Sequence, residues 1–139
     1  MKHLYFSILI RNPQMLKNIL IVGMGGFLGS VARYFVSKLN ISIDFFDIPL
    51  GTLIVNVAGS FLIGFLTGIS EKSALLTFEW RMFLMVGICG GFTTFSSFTN
   101  ENLMLMHNGQ FLTVLLYTGL SVFLGFLAVY LGYVTSNIM

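Results

Sequence analysis

The chain has 139 residues, 56% of them hydrophobic and only 9% charged, whereas a soluble domain usually carries about a quarter charged residues. Its main solvent is therefore expected to be lipid. Formal charge is +2, and the seven Lys and Arg residues are scattered singly, so no basic stripe exists to neutralise phosphates and nucleic-acid binding is excluded.

The first residues contain a short apolar patch, Leu4 to Ile10, which is too brief for a signal-peptide core and is followed by no small-residue cleavage site. Pro13 interrupts it and Met15 is a second plausible start. Residues 1–14 therefore read as a possible N-terminal extension, and residues 15–139 as one membrane domain. Four apolar stretches follow, Leu16 to Leu39, Ile48 to Ile69, Arg81 to Met106 and Phe111 to Val134, each long enough for the roughly 20 residues that cross a bilayer core. The breakers fall between them, at Asn40 to Asp47 with Pro49 just after, at Ser70 to Glu79, and at the His107-Asn108-Gly109-Gln110 turn. Such short connections predict an all-α integral membrane protein of four transmembrane helices, antiparallel to their neighbours. Trp80, Tyr34, Tyr130 and Tyr133 suit the membrane interface, while Tyr117 lies inside its span and needs another explanation.

In the first span Gly25 and Gly29 have the G-x-x-x-G spacing of a close helix contact. Arg33 lies near the end of that span, where it either snorkels to headgroups or serves a function. Lys17, Lys72 and Arg81 fall on one side of the predicted membrane and Arg33 and Lys38 on the other. So small a bias allows insertion in both orientations, and two opposed copies could pair about an axis in the membrane plane. In the second span Asn56, Ser60, Gly64 and Gly68 recur every four residues and form a narrow interface stripe.

The third span is the most informative. Gly90-Gly91 and the run Phe92-Thr93-Thr94-Phe95-Ser96-Ser97-Phe98-Thr99-Asn100-Glu101 place glycines and polar groups in mid-membrane. The glycines allow a break, and carbonyls released there must be buried in protein, wetted or bound to a cation; alternatively they only allow close packing, with the hydroxyls bonded back to their own helix. Phe95 and Phe98, three residues apart, share a helix face. Such pairs are usually packing residues, but ring edges carry positive charge and can touch a small anion without holding it tightly. Asn56, Ser96, Ser97 and Tyr117 could replace an ion's hydration without a fixed charge. In the last span Thr113, Tyr117 and Ser121 align their hydroxyls along one face, for interhelical bonding or for a pore. Glu101 would demand a partner if it lies deep.

Cys89 has no second cysteine and no His cluster beside it, which excludes an intrachain disulfide and a thiolate zinc site; it reads as a small apolar packing residue. His3 and His107 lie outside the spans. No nucleophile with its base, phosphate loop or metal-bound water is recognisable, so there is no positive case for an enzyme.

Three segments in order resemble the Fluc, or CrcB, fluoride channel family: Gly25-Gly26-Phe27-Leu28-Gly29-Ser30-Val31-Ala32-Arg33-Tyr34, with Ser30 where Ala is common; Gly51-Thr52-Leu53-Ile54-Val55-Asn56-Val57-Ala58-Gly59-Ser60-Phe61; and Gly90-Gly91-Phe92-Thr93-Thr94-Phe95-Ser96-Ser97-Phe98, with Ser97 where Thr is usual. The resemblance runs from about Met15 to the C-terminal end. It implies a dual-topology antiparallel homodimer in the cell inner membrane, with two fluoride pores and a structural Na⁺ at its centre. By motif position, Asn56 becomes the polar pore residue, Phe95 and Phe98 the aromatic contacts of fluoride, and the Gly90 and Thr93 carbonyls the Na⁺ ligands. Tyr117 and Ser121 fall on the family's polar track, whose next step here is Gly125, without a hydroxyl. Glu101 matches an acidic residue near the pore mouth and Arg33 the first-helix arginine. The function implied is passive export of cytoplasmic fluoride and fluoride resistance. The alternative is a small proton-coupled multidrug antiporter, which would be expected to carry a membrane-embedded carboxylate in its first helix, where this chain has none.

Overall fold

A computed structural model describes residues 12–38, 42–43, 47–72 and 76–138. Residues 1–11, most of the suggested extension, lie outside the described part. Helix α1, Pro13–Lys38, begins where local chemistry favours it. Asn12 Oδ1 accepts from the Gln14 and Met15 N–H groups at 3.2 and 3.3 Å, and Pro13 holds the first helical position, where its missing N–H is not needed. Pro13 thus opens the first helix, two residues before the boundary expected at Met15.

Between the first two spans lies a short antiparallel ladder, β1 (Ser42–Ile43) with β2 (Ile48–Pro49), paired Ser42 to Pro49 and Ile43 to Ile48. It is the one departure from an all-helical reading among the described residues. Helix α2, Leu50–Lys72, follows directly.

The third span, Phe78–His107, is composite. A short α3 (Phe78–Arg81), capped by Thr77, passes into a π-helical run, Met82–Cys89, and then into α4 (Gly90–Phe92). Thr93 and Thr94 are extended, with φ/ψ of −77°/156° and −150°/116°. Helix α5, Phe95–His107, resumes the crossing. The span is broken near its middle as expected, but Gly90 and Gly91 remain helical and the interruption comes at the two threonines. The π-helical run was not foreseen. Gly109, at φ +74°, turns the chain into α6, Phe111–Ile138.

Four helical segments are long and apolar enough to cross a membrane, and large apolar side chains such as Phe27, Phe35, Leu115, Phe123 and Phe126 project outward from them. This is a multi-pass membrane protein. Where no apolar driving force separates helix from lipid, close backbone packing holds helices together, and glycines supply it in two seams. Along α1, a Cβ at Gly25 or Gly29 would overlap backbone atoms of Phe83, Ile88 or Phe92, and one at Gly91 would strike Gly26. Between α2 and α6, a Cβ at Gly64 would strike the Val129 backbone, and one at Gly132 the backbone of Phe61 and Phe65.

The connections confirm the antiparallel order. At one end Lys17 pairs with Glu79 at 3.1 Å, and the Lys72 ammonium caps the Ser136 and Asn137 carbonyls at the end of α6. At the other, Gln110 Nε2 donates to Asp47 Oδ2 at 2.6 Å.

Candidate functional site

The break is held open by a side chain from another helix. Asn56, on α2, accepts from the Thr94 N–H at 2.8 Å through Oδ1 and donates to the Thr94 carbonyl at 3.1 Å through Nδ2. This amide replaces the helical acceptor that the extended Thr94 N–H has given up, where an unsatisfied group would cost several kcal/mol, and adds a donor to a carbonyl that already opens α5. The second Nδ2 hydrogen takes no part in either bond. Thr94 then caps α5, its Oγ1 accepting from the Ser97 N–H at 3.2 Å. The same oxygen lies 3.1 Å from Ser97 Oγ and 3.3 Å from Ser96 Oγ, which gathers three hydroxyls at the start of α5.

These captures leave two carbonyls without their usual donors. In an uninterrupted helix the Thr94 N–H would close on Gly90 and the Ser97 N–H on Thr93; Asn56 and Thr94 Oγ1 take those hydrogens instead. Gly90 is exposed on the surface of the chain, and a Cβ built there meets nothing within 4 Å. Neutral carbonyl oxygens suit a hard alkali cation better than a transition metal, so the chemistry of Gly90 and Thr93 fits Na⁺. Among the described residues no group of three or more His, Cys, Asp or Glu could hold a metal.

Asn56, Ser60, Gly90, Thr93, Thr94 and Phe95 line one open groove of about 390 Å³. Phe95 is 78% exposed. Its ring lies 5.9 Å from that of Phe98, which in turn lies 5.1 Å from the ring of Tyr117 at an interplanar angle of 60°. The aromatic pair therefore leads from the groove toward α6.

There Tyr117 is fully buried, and its hydroxyl donates to Glu101 Oε2 at 2.7 Å. The Thr52 hydroxyl donates to Glu101 Oε1 at 2.6 Å. Both carboxylate oxygens thus have charge-assisted bonds, which answers the demand for a partner and explains a tyrosine inside a span. One turn along α6, the Ser121 hydroxyl is buried and has no hydrogen-bond partner among the described residues. At Gly125, where the line of hydroxyls lapses, the space beside the helix contains Ser60 Oγ, 3.8 Å from a Cβ built there. Arg33 stands apart: it is half-buried near the end of α1, and no ion pair to it occurs among the described residues.

Thr52 and Thr94 were not singled out from the sequence. Thr52 lies one four-residue step before Asn56 on the recognised stripe, so extending that stripe backward would have found it. Thr94 precedes a new helical run as a threonine cap does, a signal masked by the glycines nearby.

The family described as CrcB-like protein, camphor resistance (CrcB), matches residues 20–133. A protein of Azobacteroides pseudotrichonymphae named fluoride-specific ion channel FluC is 46% identical over 123 residues, covering 88% of this chain and 98% of that one. Proteins with the same name are 46% identical over 122 residues in Chlorobium chlorochromatii, covering 88% of this chain and 94% of that one, and 40% identical over 122 residues in Flavobacterium psychrophilum, covering 88% and 98%.

Proposed function

This chain belongs to the CrcB-like protein family, and we propose from that premise that it forms a fluoride-selective channel through which cytoplasmic fluoride leaves passively. It acts as an ion channel of a cell membrane and not as an enzyme, and the expected location is the cell inner membrane. The observation that carries the site assignment is the Asn56 clamp, because it puts an amide donor and the first ring of an aromatic pair on one groove at a helix break.

Fluoride is small and strongly hydrated, so a pore must offer replacement contacts that are numerous and individually weak. The unused Nδ2 hydrogen of Asn56 offers one, the positive edges of Phe95 and Phe98 offer others, and the hydroxyls of Ser96, Ser97 and Ser121 continue the path past the ring of Tyr117, whose own O–H is given to Glu101. The buried Ser121 hydroxyl, without a partner among the described residues, supports that line. Glu101, held by Thr52 and Tyr117, orients the Tyr117 hydroxyl.

Beside the exposed ring of Phe95, the single chain exposes Gly90, Ser96, Thr99 and Asn100 in mid-span, a polar face that lipid cannot satisfy. A second copy covering that face supports the reading of an antiparallel homodimer with two pores. About its twofold axis the Gly90 and Thr93 carbonyls would each be presented twice, and these are the residues that would hold a central Na⁺, whose charge would favour anions nearby. The antiporter alternative gains nothing: α1 from Pro13 to Lys38 contains no Asp or Glu.

Proteoliposomes containing only this protein should release fluoride under an outward gradient and retain chloride. Release of both ions at equal rates, or of neither, would refute the channel assignment.

A further inference from the structure

We propose that Asn56 is also a positioning residue for the central cation: by capturing the Thr94 N–H, its amide keeps the Gly90 carbonyl out of the helical ladder and available as a ligand. The inference rests on the Na⁺ reading above and adds a link between one residue of the groove and the cation site. It starts from competition for one hydrogen. An α-helix continued through the break would direct the Thr94 N–H to the Gly90 oxygen. Thr94 is instead extended, and its N–H meets Asn56 Oδ1 at 2.8 Å while its own carbonyl receives Asn56 Nδ2 at 3.1 Å.

The helix reaches the break in good order. The Thr93 N–H still bonds the Cys89 carbonyl at 3.0 Å, and Thr93 Oγ1 adds a second bond to the same oxygen at 2.9 Å. The ladder therefore first fails at the step that Asn56 intercepts. Nothing in the glycines forces it to fail, since Gly90 and Gly91 are themselves helical.

Without the amide, the Thr94 N–H loses its acceptor in a region with no water to replace it, while the Thr94 carbonyl keeps only the first helical bond of α5. The nearest remedy is to close the turn onto Gly90. That closure removes one carbonyl in each subunit from the centre, and with it half of the four oxygens that Gly90 and Thr93 would present in a dimer. The acceptor oxygen of residue 56 governs the cation, whereas its spare N–H faces the passing anion, so the two roles can be separated by substitution. Asn56→Asp keeps an acceptor for the Thr94 N–H; Asn56→Leu keeps neither function at similar volume.

The test is the thermal midpoint of the purified full-length dimer in NaCl and in N-methyl-D-glucamine chloride at equal ionic strength. A cation bound only by the folded dimer raises the midpoint, and the rise reads its occupancy. Wild type and Asn56→Asp should both gain stability from Na⁺, and Asn56→Leu should lose about half or more of that gain. If the Leu chain does not yield a dimer, Asn56→Ala, which adds no bulk, carries the same expectation. The midpoint without Na⁺ falls for any lost hydrogen bond, so only the Na⁺-dependent difference counts. An undiminished Na⁺ gain in Asn56→Leu or Asn56→Ala overturns the coupling and leaves the cation site standing, as does an equal loss in Asn56→Asp. No Na⁺ gain in wild type overturns the cation site itself, and the coupling with it.

Discussion

Before its break the third span lies backbone to backbone against α1, with Gly25, Gly29, Gly87 and Gly91 leaving no room for a Cβ between the two. After the break the same span turns into α5, whose contacts are hydrogen bonds and rings: Asn56 on Thr94, Tyr117 and Thr52 on Glu101, Phe98 beside Tyr117, and the Thr118 hydroxyl on Asn102. The first half is fixed by shape, which tolerates no added volume. The second half is fixed by polar partners drawn from α2 and α6, so its geometry depends on which donors those helices supply. A rigid half and a polar half in one crossing would let the channel hold the proposed pore lining in place without making that lining apolar.

The contrast is broken most severely in the glycine seam. Gly29→Leu would drive a side chain into the backbone of Ile88 and Phe92 and should cost about 3 kcal/mol or more, the largest loss expected here, lowering the yield of folded dimer. Size-exclusion chromatography after detergent extraction checks this, and a normal dimer yield would show that the seam can open. In the polar half the expected loss is functional. Asn56→Asp retains an acceptor for Thr94 and places a carboxylate on the groove, so a folded protein should show fluoride efflux at the liposome background because like charge repels the anion. Efflux at the wild-type rate would remove Asn56 from the anion path.

Smaller effects sharpen the comparison. Tyr117→Phe preserves the ring against Phe98 but leaves Glu101 one donor short, which should lower stability by about 1–3 kcal/mol, read from thermal unfolding. A change in flux without that loss would point to the hydroxyl meeting the ion instead of orienting on Glu101. Gly119, in contrast to Gly29, has nothing within 4 Å of a Cβ built on it. Gly119→Ala should therefore change stability by less than about 1 kcal/mol and leave efflux unaltered; a large loss would place that position at a contact between copies.

Much of this was legible along the chain because lipid imposes a local rule. Every crossing must be apolar over about 20 residues, so the spans could be delimited from composition alone, and a polar run within one stood out. The four-residue recurrence of Asn56, Ser60, Gly64 and Gly68 likewise follows from helix geometry, and so does the alignment of Tyr117 with Ser121. The location of the break was not legible. Glycine permits an interruption but does not compel it, and the decision between helix and extension at Thr94 depends on a hydrogen-bond competitor 38 residues away. Glu101 could be recognised as needing a partner, yet its two donors come from α2 and α6, which only packing brings together. Residue type and spacing thus determined which segments cross the membrane and which chemistry they carry. The tertiary structure alone decided which donor meets which acceptor, because a hydrogen bond depends on distance in space and the sequence records only distance along the chain.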